Sequence, residues 1–319
     1  MYIPSAYWRM KAREALKGSW LTALLIALVV NLPSLLVEGI ASVTGNDLMQ
    51  RMADLLYGSM TVSGSAASVD AAALARGLQE LRDSAGVWIF QGLRAAAWLL
   101  TPCLTLGMVH WMLQRLRKQE AGDVTAVFSR MGLFFKGIGL RLYVLWRVFV
   151  WMLPGIALNA LAFLPLWLSD RNSTLSILSA ANTTRGLQSA AMIATAVLGA
   201  VGWFRYVLGD MVLADDPATG PVRAAKESKR LTEKKLGSVF SLYLSFLLWI
   251  MVRMMVGSLA AGMMGPVIGL MVDMLAGLAI TVYLNASVCA FYLGCRAAEK
   301  IAAAGQKEET EETEEEMEI

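Results

Sequence analysis

The residue types able to do covalent chemistry are sparse in this 319-residue chain. His110 is its single histidine, and a hydrolase needs a nucleophile and base within reach or a set of metal ligands. Cys103 lies seven residues before His110, on the same helical face. One histidine and one cysteine do not make a zinc site. No GxSxG, HExxH or Walker-type phosphate loop occurs, so neither a familiar hydrolase nor an ATP-driven machine is expected. The expectation is a protein that is not an enzyme and carries no cofactor or metal.

Charges embedded in long apolar stretches say more. Within a bilayer such residues are costly, and they face a partner or a water-filled cavity. Arg253 and Asp273 stand ten residues either side of Met263, in a short glycine-rich turn, so an antiparallel hairpin brings them to one depth and pairs them. Helical rise puts Arg141 about 6 Å and Asp210 about 5 Å inside their segments, near the inner face, which suggests a second pair. Glu38 and Arg94, in the outer halves of the first two segments, form a third. All three pairs are read as structural. Arg147, about 15 Å inside the third segment, and Arg205, about 12 Å inside the fourth, are left without a spare intramembrane acid. Their guanidinium forks suit a phosphate or carboxylate, from an anionic lipid head group or a transported anion. The competing reading lets Arg205 and Asp210 satisfy each other on one helix, while Arg147 snorkels or caps a carbonyl freed by a kink at Pro154.

These positions require long membrane helices, and the composition supplies them. Hydrophobic residues make up 57% of the chain and charged residues 17%, with a mean hydropathy of +0.55. Soluble domains are about a quarter charged and under half apolar, so the surplus must face lipid. The same balance excludes a disordered chain, and three cysteines are too few for a disulfide-stapled module. About 20 apolar residues cross the hydrocarbon. Six segments qualify: 20–43, 87–113, 138–162, 187–213, 236–261 and 267–293. The expected fold is all-α, a polytopic membrane bundle of six transmembrane helices with amphipathic cytoplasmic surface helices.

Basic residues in the connections set the orientation. Arg9, Lys11, Arg13 and Lys17 precede the first span. Arg115, Arg117, Lys118, Arg130 and Lys136 follow the second, and Arg223, Lys226, Lys229, Arg230, Lys234 and Lys235 follow the fourth. The alternate connections are poorer in base: 44–86 holds three arginines against five acids, 169–186 two arginines and one aspartate, and 262–266 no charge. Both termini are therefore expected in the cytoplasm, the protein being a multi-pass component of the inner (cytoplasmic) membrane. The first apolar run is longer than a signal core and is read as an uncleaved anchor. Residues 1–18 are expected as a cytoplasmic amphipathic helix, 19–297 as the transmembrane domain with its outer loop at 44–86, and 298–319 as an acidic disordered cytoplasmic tail. Within the outer loop, 71–82 reads as a short surface helix. Without the eight glutamates of residues 308–319, 28 bases face 17 acids, a body charge of +11 that suits anionic cytoplasmic lipid.

The three cytoplasmic segments share a pattern: a basic amphipathic stretch, then Lys and Gly, then a span. They are 6–17 with Gly18, 124–136 with Gly137, and 222–235 with Gly237. Each stretch reads as an interfacial helix on the inner leaflet, with glycine permitting the bend into the membrane. Three surface-helix-plus-hairpin units result, although the retention of bases inside would produce the same look on its own.

Several motifs carry a family resemblance: Ala12-Arg13-Glu14-Ala15-Leu16-Lys17-Gly18-Ser19-Trp20, Leu153-Pro154-Gly155-Ile156, Leu213-Ala214-Asp215-Asp216-Pro217, and Ala224-Ala225-Lys226-Glu227-Ser228-Lys229-Arg230-Leu231. On these the chain resembles an uncharacterised bacterial integral membrane protein family, domain of unknown function 975, over nearly everything but the outer loop and acidic tail. The resemblance implies a six-helix membrane protein and carries no activity over. On the residues themselves, Asp216-Pro217 reads as an extended turn leaving the fourth span, with Pro221 opening the next helix.

The functional expectation is a non-enzymatic factor that handles or senses anionic lipid or an amphipathic peptide, using the basic inner surface and the Arg147/Arg205 region. The alternative is a secondary transporter for a small anionic solute. A transporter needs a central polar cavity reachable from either face, a lipid-handling factor a lateral opening beside the inner leaflet. Expected partners are membrane lipids, preferentially anionic, and a membrane protein; nucleic acid is not expected. The methionines 251, 254, 255, 263, 264, 271 and 274 are read as adaptable packing residues rather than soft-metal ligands.

Overall fold

A computed structural model describes residues 4–37, 60–63, 66–69, 85–119, 122–164 and 174–317. The chain begins with α1 (Ser5–Leu16), in which Trp8, Ala12 and Leu16 are buried. Spacing of four puts them on one helical stripe. Gly18 turns the chain at φ +82°, a conformation without steric cost only for glycine, and α2 (Trp20–Val37) follows. In the connection after α2, β1 (Met60–Ser63) and β2 (Ala66–Val69) form a small antiparallel hairpin with Met60 opposite Val69. Then come α3 (Ala85–Leu116), a 3-10 segment (Val124–Leu133), α4 (Phe134–Leu161) and α5 (Thr174–Phe204). The short α6 (Gly209–Asp215) and α7 (Pro221–Thr232) lead into α8 (Leu236–Met264) and α9 (Pro266–Met317).

Six helical segments among the described residues are long and apolar enough to cross a membrane: Trp20–Val37, Trp88–Leu116, Val124–Leu161, Asn182–Asp215, Leu236–Met264 and Val267–Ala302. The protein is an all-α multi-pass membrane bundle, as the apolar runs required. Large apolar side chains on these helices point outward, among them Leu21, Ile89, Leu145, Ile193 and Leu248, each more than 60% exposed. In water that surface would collapse, whereas lipid solvates it. Met251, Met254, Met255, Met263, Met264 and Met271 are all more than half exposed. These six belong to the lipid-facing surface, which corrects the packing reading for them, while Met274 of the same run packs against the core as expected.

Burial concentrates at one end. The core joins Trp8 and Leu16 of α1, Ile26 of α2, Leu106, Trp111 and Met112 of α3, Leu213 of α6, Phe246 of α8 and Tyr292 of α9. The opposite half is open, and from Trp88 to Leu100 α3 buries only Ala97.

Two features of the proposed repeat are corrected. Gly137 and Gly237 lie inside α4 and α8 rather than at bends; the chain turns instead at Arg130 (φ −106°, ψ 15°) and at Lys235 (φ −129°, ψ 14°). Gly137 serves packing, since a Cβ there would sit 3.1 Å from Leu106 Cδ1. The apolar face of α1 is not laid on lipid: Trp8 stacks edge-on against Phe291 at 5.6 Å, and a Cβ on Gly294 would overlap the Trp8 indole. The segment 298–319, read as a disordered tail, is helical through Met317 as the end of the 52-residue α9. Alanine, glutamate and lysine propagate a helix, and no proline follows to stop it. The expected outer helix at 71–82 lies outside the described residues.

Candidate functional site

Polar side chains gather where the core closes. Asp215, the last residue of α6, is held by Arg117 Nη2 at 2.7 Å and by the Tyr292 hydroxyl at 2.9 Å. Arg296 Nε donates to that hydroxyl at 3.1 Å, while its Nη1 reaches Glu227 Oε1 on α7 at 3.1 Å. Arg230 joins Glu227 at 2.7 Å to Glu299 at 3.2 Å. One chain of charge-assisted bonds thus ties α3, α6, α7 and α9 together. Next to it Asp216 shapes the turn: its carboxylate accepts from the Ala218 amide at 3.0 Å and the Thr219 hydroxyl at 2.6 Å. The Thr219 hydroxyl first, and the Ala218 amide second, hold that carboxyl below the usual carboxylate range. Asp216 is extended (φ −119°, ψ 94°), and Pro221 opens α7. Lys136 Nζ donates to the Pro217 carbonyl at 2.6 Å.

Buried Ser228 and Thr232 fasten α7 to the break between α5 and α6. The Ser228 hydroxyl donates to the Arg205 carbonyl and accepts from the Leu208 amide, both at 3.1 Å. The Thr232 hydroxyl also reaches the Arg205 carbonyl, at 3.0 Å. Carbonyls and amides left over where α5 ends are thereby satisfied. With one face fixed in this way, α7 lies along α4, Pro221 beside Gly139, where a Cβ would come 3.2 Å from the proline ring.

Farther along the same contact, a pocket of about 330 Å³ opens between α4 and α7. Arg147, Lys226, Lys229 and the acid Glu233 line it with the aromatic rings of Tyr143 and Tyr206. Arg147 Nε donates to the Tyr143 hydroxyl at 3.2 Å, which aims the guanidinium while leaving its other donors open. Arg230, also on the rim, is committed to Glu227 and Glu299. Among the described residues Lys226 and Lys229 have no ion pair. Arg147 is therefore level with α7; a helix read as flat on the leaflet packs along α4.

Arg205 goes elsewhere. Its guanidinium stacks over Trp151, 4.5 Å from the ring centroid, and its Nε is buried without a hydrogen-bond acceptor. Trp151 is one turn beyond Arg147 on α4, so the two arginines flank one helix face, but only Arg147 enters the basic pocket. The Trp151 ring, not Asp210, is thus the partner of the Arg205 guanidinium.

The remaining residues singled out in sequence separate as follows. Arg253 and Asp273 form a bidentate pair, Nε to Oδ1 at 2.7 Å and Nη2 to Oδ2 at 2.6 Å. Glycines one turn along make room: a Cβ at Gly277 would lie 2.8 Å from Arg253 Cζ, and one at Gly257 3.1 Å from Asp273 Cβ. Arg141 and Asp210 line one cavity without an ion pair or hydrogen bond between them. Glu38 lies outside the described residues, and Arg94 is exposed on α3. His110 Nδ1 meets Arg130 Nη2 at 3.0 Å, and the Cys103 thiol donates to the Arg130 carbonyl at 3.6 Å. Both hold the 3-10 segment against α3. The pocket residues missed in sequence, Lys226, Lys229, Tyr143 and Tyr206, gave one usable signal: the i, i+3 spacing of the two lysines on a helix opened by Pro221.

Residues 3–299 match the family model described as protein of unknown function DUF975. No curated protein and no solved structure matches the chain.

Proposed function

The chain belongs to the DUF975 family, and from that premise we propose that it is a non-enzymatic membrane factor whose inner basic pocket binds the phosphate of an anionic lipid head group. The pocket between α4 and α7 is the observation that carries this reading. Three cations converge there, two without ion pairs and one already oriented by a tyrosine. A guanidinium offers a fork to phosphate oxygens, and the two ammonium groups add charge from the other wall. The lipid-facing surface beside it, with Trp146 61% and Phe149 46% exposed, suits the chains of such a lipid. Each base near an anionic surface contributes about 1 kcal/mol, so three supply roughly a hundredfold preference over a neutral head group.

In this reading both termini and the basic connections face the cytoplasm of a bacterial inner membrane. Arg117, Lys136, Lys226 and Arg230 share one end of the bundle with α1, the arrangement that retention of bases on the cytoplasmic side produces. Phosphatidylglycerol retained by the detergent-extracted protein, measured by native mass spectrometry against phosphatidylcholine, tests the proposal. Wild type should hold phosphatidylglycerol preferentially, and Arg147→Gln with Lys226→Gln and Lys229→Gln should abolish the preference. A folded triple variant that retains as much phosphatidylglycerol as wild type would sink it.

A further inference from the structure

A second cavity, of about 440 Å³, is also bordered by Tyr206 and lies among α3, α4, α5, α6, α8 and α9. Its floor is polar: Arg141, Asp210, Tyr243 and Asn285. Its walls are apolar, with Trp98 of α3 and Leu145 and Val148 of α4 toward the outside. Trp98 is 39% and Leu145 62% exposed, so the cavity opens sideways, between α3 and α4, onto the surface that lipid covers. Trp98 and Val109 both line it; eleven residues of helix give it a height of about 16 Å.

The floor presents an unusual charge arrangement. Asp210, half-buried within the fourth span, forms no ion pair or hydrogen bond among the described residues, and the same holds for Arg141. An intramembrane charge normally pairs or faces a functional cavity, and here an acid and a base face one cavity unjoined. Both residues line the one cavity, and no ion pair joins them among the described residues. A simple anion would be drawn to Arg141 but repelled by Asp210, and a simple cation the reverse. A group carrying both charges a few bonds apart satisfies both residues.

We propose that this cavity is a site for an aminophospholipid of the phosphoethanolamine class. The primary ammonium donates N–H bonds to the Asp210 carboxylate. The phosphate accepts from the Arg141 guanidinium, and the acyl chains leave between Trp98 and Leu145. This site differs from the basic pocket in ligand chemistry and in its charged residues, sharing only Tyr206 with it, so either assignment stands without the other. The requirement for N–H donors separates the ligand from phosphatidylcholine, whose quaternary ammonium has none, and the apolar exit separates it from a soluble zwitterion.

The test uses the full chain in detergent micelles doped with equal amounts of phosphatidylethanolamine and phosphatidylcholine, read by native mass spectrometry. Wild type should retain the first over the second by about tenfold or more. Asp210→Asn should bring the ratio to about one, Arg141→Gln should weaken retention of both, and Val148→Phe, which fills the cavity, should exclude both. The Arg147, Lys226 and Lys229 variants should leave the ratio unchanged. Equal retention of the two lipids by wild type overturns the proposal, and this arm needs no variant to fold. Displacement by soluble phosphoethanolamine at the same concentration as lipid would overturn the lipid assignment in favour of a free zwitterion.

Discussion

At the scale of single residues, what decides each charge is whether it has a partner. Arg253 and Asp273 sit in the α8–α9 hairpin with a third of each side chain exposed, held by two short bonds. Removing one partner strands the other, at a cost on the order of 2 kcal/mol, whereas replacing both with leucine should come within about 1 kcal/mol of wild type. The check is the unfolding midpoint in detergent of Arg253→Leu, Asp273→Leu and the double variant; a double variant as damaged as the singles would contradict the pairing. Asp216 makes a pH prediction. Its carboxyl is held below the ordinary value of 3.8, so its contribution is complete above about that pH and fades as pH falls through the lower folded value. Asp216→Asn should remove that part of the acid sensitivity, seen as a flatter dependence of melting temperature on pH below 4. Arg205→Gln should destabilise by about 1 kcal/mol through its lost stacking on Trp151 and leave anionic lipid retention unchanged.

At the scale of elements, surface helices are fastened to the bundle rather than to the membrane. For α1 the decisive contact is Trp8 against Gly294 and Phe291. Gly294→Ala puts a methyl group where the indole lies, so α1 should undock; limited trypsin digestion after Arg9, Lys11 and Arg13 should accelerate while the spans stay protected. Unchanged digestion would mean that α1 is held by something else. The spans were legible in the sequence because 20 apolar residues have few soluble alternatives, and Arg253–Asp273 was legible because a tight hairpin converts sequence distance into depth. The partners of α1 and α7 were not legible. An amphipathic basic helix looks the same whether its apolar stripe meets lipid or protein, and only the core shows that Trp8 and Ser228 face inward. Arg147 was legible as a candidate, but its pocket partners on α7 were not, for that reason. The Arg205–Trp151 stack depends on the crossing of α4 and α5, which no local pattern encodes. The glycine of each repeat was read as a hinge, yet only Gly18 has the positive φ that needs one.

At the scale of the whole molecule, one end is a packed, hydrogen-bonded block and the other a set of lipid-facing helices. Both proposed lipid sites border Tyr206, a buried residue at the edge of that block, so head-group binding would act where α4, α6 and α7 are fastened together. Sidedness has its own test. The three cysteines are buried, so a new cysteine reports its own position. An impermeant maleimide should label Met263→Cys from outside intact cells and Lys11→Cys only after the membrane is opened; the reverse pattern would invert the topology.

The central claim, that Arg147, Lys226 and Lys229 form an anionic head-group site, is tested most directly by native mass spectrometry of the full chain with phosphatidylglycerol and phosphatidylcholine in equal amounts. The account expects wild type to keep phosphatidylglycerol with a preference of roughly a hundredfold, and the folded triple glutamine variant to show almost none. Equal retention of the two lipids by wild type, or an undiminished preference in the triple variant, would contradict it.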